Sequence, residues 1–223
     1  MKAIIFIAPP GAGKSTQADI FSRIFNMQHL DASRILQESL DKMDQSNPEV
    51  AQARLDYKEG RLMDPAFVAK VIFGKIRELY KEGKSIVFSG SFRTLYEAEN
   101  GLPLMSDLYG KDNIHIFNIY ISEEESIRRS LGRRVCKLNR HAIPNYESFK
   151  DRMECPFDGS ELIRRSTDNA EVARFRYHVY SKDTSPVLEY MKKNNYEVVS
   201  IEGAQGIDEV TFSILAHLQL HPL

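Results

Sequence analysis

The stretch APPGAGKST at residues 8–16 holds residue types that can cradle phosphate. Backbone N–H groups turned inward by a Gly-rich turn surround phosphate oxygens, and a following helix adds its positive end. Gly11 and Gly13, on either side of Ala12, let the main chain approach closely. Lys14 is placed to reach the terminal phosphates, the Ser15 hydroxyl to bind magnesium, and Thr16 to open the helix. The strict pattern GxxxxGK[ST] asks for glycine where this chain has Ala8. A methyl group costs little there if its φ is negative. A structural turn of similar appearance is the competing reading.

Such a loop needs a strand before it and a helix after it. Apolar runs at 3–8, 85–89, 114–121 and 197–201 read as buried parallel strands, and 28–30 adds a weaker fifth. Helical spacing occupies 16–25, 65–80 and 170–193 between them. Strands alternating with helices predict an α/β layered fold with a mainly parallel sheet. Two segments fit poorly: 31–63 is polar and helix-prone without a strand, and 132–168 holds both cysteines and few helical cues. Inserts of that kind are where a moving lid or a substrate clamp sits.

The totals exclude several classes. The 223 residues carry 30 Lys and Arg against 31 Asp and Glu, so net charge favours no nucleic-acid partner. No apolar run approaches the roughly 20 residues needed to cross a bilayer. Cys136 and Cys155 are the two cysteines, which is no disulfide framework, and the cytoplasm is the expected location.

Six blocks, in order, resemble those of adenylate kinases and other nucleoside monophosphate kinases: APPGAGKSTQA, EGRLMD (59–64), GSFRTLYEAE (90–99), RRSLGRR (128–134), CPFDGSELIRRSTDN (155–169) and YSKDTSPVLEY (180–190). The resemblance implies a P-loop three-layer fold with a five-stranded parallel sheet. Its core would be 1–30, 64–131 and 169–223, its monophosphate-binding lobe 31–63, and its lid 132–168. It implies ATP held by residues 11–16 with Arg129 and Arg133. The monophosphate would meet Ser33, Arg34, Arg61, Leu62, Met63, Gly90, Arg93, Glu97, Arg165 and Arg176. Catalysis would rest on Lys14, Arg93, Arg133, Arg165 and Arg176. Transferring a phosphoryl group brings two polyanions together, and planar guanidinium groups suit that task. Neighbouring Arg128, Arg134 and Arg164 read instead as solvated or paired with Glu123–Glu125.

The acceptor side departs from the family pattern. Ser89 stands where the family has an Asp that helps hold magnesium-bound waters, and Ala32 and Gln37 replace a base-contacting Thr and a phosphate-binding Arg. Arg34, one helical turn before Gln37, is a candidate substitute. Glu97 replaces a Gln that reads adenine. An ionised carboxylate only accepts, which suits guanine or a single amino group better than adenine N1. The alternative places Glu97 on an exposed helix.

Many family members close the lid with zinc. Here the spacing gives Cys136-x-x-Asn139 and Cys155-x-x-Asp158, with His141 a candidate replacement for Asn139. A relic pair held by hydrogen bonds or packing is the preferred reading and structural zinc the alternative. The expectation is therefore a monomeric, magnesium-dependent nucleoside monophosphate kinase that binds neither nucleic acid nor membrane. ATP would be donor and AMP the leading acceptor, ahead of GMP, UMP or CMP. The rivals are a P-loop kinase for another metabolite and a nucleotide-binding regulator.

Overall fold

The computed structural model describes residues 1–138, 141–143, 149–164 and 169–218. The N-terminal apolar run forms β1 (Ala3–Ile7), whose side chains alternate between two apolar layers. Ala3, Ile5 and Ile7 enter one layer and Ile4 and Phe6 the other, all fully buried. Burial on both faces is why the run is continuous rather than alternating. On either side of β1 lie β3 (Ile86–Ser89) and β4 (Ile114–Tyr120); β2 (Gln28–Asp31) and β8 (Val198–Glu202) complete the sheet. The order is β2-β3-β1-β4-β8, with every neighbouring pair parallel. The fold is the expected α/β arrangement, with a five-stranded parallel sheet between helices.

Ala8 continues the second layer at 8% exposure, and its φ is not positive, so its methyl group packs without strain. Helix α1 (Lys14–Ile24) starts two residues earlier than its apolar spacing suggests. The polar excursion after β2 is α2 (Ala32–Lys42) and α3 (Pro48–Glu59). It leaves directly from a strand: Asp31 closes β2 and caps α2, accepting from Ser33 N at 2.9 Å and Arg34 N at 3.3 Å. Two longer helices, α4 (Pro65–Lys81) and α5 (Leu95–Tyr109), cover one face of the sheet.

After α6 (Glu123–Gly132), the chain forms a small antiparallel sheet ordered β6-β5-β7. Its strands are β5 (Arg134–Cys136), β6 (Ala142–Ile143) and β7 (Leu162–Ile163), too short to show a period of two in the sequence. The helical spacing over 170–193 corresponds to a helical run broken by one irregular turn. It is α7 (Ala170–Val179), a π turn at Tyr180–Thr184, and α8 (Ser185–Lys193). Pro186 has no N–H to give the preceding turn, so the α ladder is interrupted there and re-forms with the proline in the first turn of α8. Helix α9 (Ile207–Leu215) closes the chain against α1. Among the described residues no helix is long and apolar enough to cross a membrane.

Ala8 and Gly11 predict opposite outcomes. Ala8→Gly should keep nucleotide affinity and lose about 0.5–1 kcal/mol of stability, because only chain entropy and one methyl contact change. Gly11→Ala should lose affinity outright, since the loop holds φ at 76° and a Cβ would stand 2.9 Å from Ser126 O. Urea unfolding and calorimetric titration with ATP measure the two effects.

Candidate functional site

Between β1 and α1 the chain turns through Gly11 (φ 76°) and Gly13 (φ 92°), backbone shapes that disfavour any side chain. Gly13 occupies the cap position of α1 without a side-chain cap bond, so the first N–H groups of the helix are left for a ligand. Ser126 on α6 donates to Pro10 O at 2.6 Å and fixes the loop from the other side.

Three adjoining cavities meet here. The first is lined by residues 11–17, with Arg128, Arg129, Arg133 and the 203–207 turn. A second, under α2 and α3, is lined by Ser33, Tyr57, Arg61, Leu62, Met63 and Glu97. A central one touches Lys14 and Ser15 from the loop, Arg34 and Ser33 from α2, Gly90 and Arg93 from β3–α5, Arg133 after α6, and Arg176 on α7. It shares Lys14 and Arg133 with the first cavity, and Arg93 and Arg176 with the second.

The charge in the central cavity is mutually repulsive. Desolvation at the base of the cleft pushes the Lys14 ammonium well below its ordinary pKa. Arg93, Arg176 and Arg133 push it the same way, and Asp31 opposes them. A partly buried ammonium beside three guanidinium groups is stabilised by a polyanion.

The arginines are held by specific bonds. Arg93 Nε donates to Gly90 O at 2.7 Å, while its carbonyl accepts from Thr184 Oγ1 in the π turn at 2.9 Å. The preceding Phe92 is buried at a φ of 56°, which is costly for an aromatic residue and marks how tightly Arg93 is placed. Arg129 Nε donates to Glu125, and its other nitrogens donate to Gly203 O at 2.8 Å and Ala204 O at 3.0 Å. These in-plane bonds fix the orientation of its guanidinium at the wall of the first cavity. Arg61 pairs with Asp56 and Glu59, and Arg34 lies exposed near Glu38. Of the neighbours read as surface groups, Arg128 pairs with Glu125 and Arg164 is exposed at the second cavity, whereas Arg134 donates to the carbonyls of Phe149, Lys150 and Arg152. Arg165 and Asn139 lie outside the described residues.

Glu97 is not on an exposed surface, and that alternative is corrected. It is 5% exposed and lines the second cavity, in the first turn of α5, where Thr94 Oγ1 accepts from Glu97 N. Its oxygens accept from Thr94 Oγ1 at 3.1 Å and Arg93 N at 3.3 Å. Desolvation nevertheless outweighs these bonds and raises the carboxyl pKa.

The two cysteines sit in a four-residue group with His141 and Asp158, all four ligand atoms within 4.8 Å of one another. Phe157 lies edge-on to His141 and beneath Arg23 of α1, whose guanidinium carbon is 4.6 Å from the ring centre.

Sequence reasoning missed Tyr57, His29 and Asp19. Tyr57 bridges Ser33 and Gln37, accepting at 3.5 Å and donating at 3.3 Å. His29 joins Asp19 to Ser89 at 2.7 Å on each side. A polar residue alternating into β2 was the available signal.

A family model described as adenylate kinase matches residues 6–196. The adenylate kinase of Petrotoga mobilis is 34% identical over 217 residues, covering 95% of this chain and 96% of the relative. That of Methanocella arvoryzae is 32% identical over 222 residues, covering 98% and 99%. That of Acetivibrio thermocellus is 28% identical over 220 residues, covering 95% of both.

The repulsion on Lys14 has a measurable sign. The unfolded chain keeps the lysine proton up to about 10.5, whereas the folded chain releases it at lower pH. The unfolded state therefore binds more protons in that window, and the ligand-free protein gains stability as pH rises through it. Lys14→Met should remove this dependence, raise the ligand-free melting midpoint at pH 7 by about 2–4 °C and abolish nucleotide turnover. Calorimetric melts across pH test it.

Proposed function

The chain belongs to the adenylate kinase family and is a phosphotransferase, and from that premise we propose that it moves the terminal phosphoryl group of ATP reversibly onto AMP. The observation that supports this most is the central cavity, whose cations are shared between two flanking cavities. Two nucleotides entering from opposite sides would bring their phosphates onto the same four cations. Residues 11–16 and Lys14 would hold the donor phosphates, and Arg129 would face its base. Arg93 and Arg176 would hold the monophosphate, with Arg133 and Arg165 adding to the charge on the transferring group. The acceptor is already an anionic oxygen nucleophile, so the residues need only align it, neutralise it and exclude water. Both substrates fit a cleft built by one chain, which favours a monomer, and the free buried thiols favour the reducing cytoplasm.

Segments 31–63 and 132–168 act in this reading as the monophosphate lobe and the lid around the core segments 1–30, 64–131 and 169–223. Oxygen donors Ser15, Asp31 and Ser89 line the central cavity, the donor type that magnesium takes. Magnesium held at Ser15 would neutralise charge on the donor phosphates.

The adenine reading follows from the burial of Glu97. Burial raises its carboxyl pKa, and the protonated form offers one O–H and one carbonyl, the same pair that an amide presents to adenine N1 and N6. Raising the pH through its elevated pKa removes the donor. The kcat/KM for AMP should therefore fall with rising pH, and Glu97→Gln should flatten that fall. Across AMP, GMP, CMP, UMP and dAMP, AMP should give the highest kcat/KM in a coupled assay. Transfer to none of them would instead support the nucleotide-binding regulator.

The cysteine group fits structural zinc. Ligands on a tetrahedral zinc at about 2.0–2.3 Å stand roughly 3.3–3.8 Å apart. Here Cys136 Sγ and Cys155 Sγ each lie 3.5 Å from His141 Nδ1, and Asp158 Oδ2 lies 3.2 Å from both Cys136 Sγ and His141 Nδ1. We expect near-stoichiometric zinc by elemental analysis of untagged protein, lost in Cys155→Ser together with protease resistance of 132–168. A metal-free protein with the same resistance would return the group to hydrogen bonding alone.

A further inference from the structure

Four side chains from three elements form one hydrogen-bonded chain at the floor of the central cavity. Ser15 and Asp19 stand one turn apart on α1, His29 lies in β2, and Ser89 ends β3. Asp19 Oδ1 is 2.7 Å from His29 Nδ1, His29 Nε2 is 2.7 Å from Ser89 Oγ, and Ser15 Oγ donates to Ser89 Oγ at 3.4 Å. Ser15, Asp19, His29 and Ser89 all line the cavity that Lys14, Arg93, Arg133 and Arg176 share.

The chain has a direction. An ionised carboxylate can only accept, so the ring proton of His29 resides on Nδ1, and in the neutral ring Nε2 is left as an acceptor. Ser89 must then donate its single proton to Nε2. The remaining capacity of its oxygen is to accept, which it does from Ser15. Both hydroxyl protons are committed away from the cavity, and the oxygens present only lone pairs to it. The negative charge that drives this ordering belongs to Asp19, two hydrogen bonds from Ser89. At the end of β3, Ser89 supplies a hydroxyl where the family pattern has a carboxylate; the carboxylate joined to it here is Asp19 on α1, by way of the His29 imidazole.

We propose that Asp19 and His29 are positioning residues that turn the oxygens of Ser89 and Ser15 into acceptors for the divalent cation accompanying the donor phosphates. The proposal rests on reading the central cavity as the place where those phosphates lie. Its logic is that of an outer partner orienting an inner ligand, as when a carboxylate orients a metal-bound histidine, with a serine hydroxyl as the oriented group.

The test is manganese binding to the full chain in complex with a non-hydrolysable ATP analogue, followed by the paramagnetic resonance of free Mn²⁺. Asp19→Asn and His29→Gln should each weaken Mn²⁺ binding by about 10-fold while leaving metal-free affinity for the analogue unchanged. Ser89→Asp placed in the His29→Gln background should restore Mn²⁺ affinity, because it returns a carboxylate to the strand end. Asp19→Asn is nearly isosteric and serves if His29→Gln fails to fold. Wild-type Mn²⁺ affinity in Asp19→Asn would overturn the proposal. So would an equal loss of metal-free analogue affinity, which marks a structural role, or a failure of Ser89→Asp to rescue. A normal manganese response in a wild-type chain that transfers phosphate to no monophosphate would support the relay while removing the kinase reading.

Discussion

Four cations that repel one another must be held within reach of a single space, and much of the fold can be understood as the means of doing so. Lys14, Arg93, Arg133 and Arg176 come from the start of α1, the turn before α5, the residue after α6 and the body of α7. Left to themselves these side chains would extend into solvent and separate. The parallel sheet prevents this by ending β1 and β3 side by side, with Phe6 in register with Ser89, so that the loops carrying Lys14 and Arg93 open on one edge. The repulsion is then a stored preference for anions: phosphate that enters relieves it, and a neutral ligand does not.

The Gly-rich loop was legible in the sequence because its demands fall on the backbone. Gly11 and Gly13 are required by positive φ, and Lys14 and Ser15 follow at fixed spacing, so type and order suffice. The rest of the central cavity is built from side chains that meet across distant segments, which spacing does not encode. Ser89 read as a lost charge because its partners, His29 and Asp19, belong to elements brought together only by the β2–β3 pairing and the packing of α1. Glu97 read as either a base selector or an exposed residue, because its burial depends on how α5 packs against the rest of the chain.

The two inserts were legible as inserts and not as structures. α2 and α3 are anchored by polar caps, Asp31 and Asn47, and the sequence shows those residue types plainly. The small sheet of β5, β6 and β7 owes its form to packing around Cys136, Ile143 and Cys155 rather than to any strand-like period. That compact apolar group, with Phe157 resting under Arg23, joins the insert to α1, the helix that also carries Lys14 and Asp19.

The π turn at Tyr180–Thr184 bears on how this chain tolerates change in length. A π turn carries one residue more than an α turn, and one residue rotates a helix face by about 100°. α7 presents Arg176 to the cavities, while α8 buries Val187, Leu188 and Met191 in the core. The two helices are thus set out of phase, and the extra residue is what reconciles them. Deleting a residue here would keep either the guanidinium or the core face in place, and not both. A segment that looks like an ordinary amphipathic helix is therefore also a counted spacer, in which length matters as well as the identity of Thr184, Val187, Leu188 and Met191.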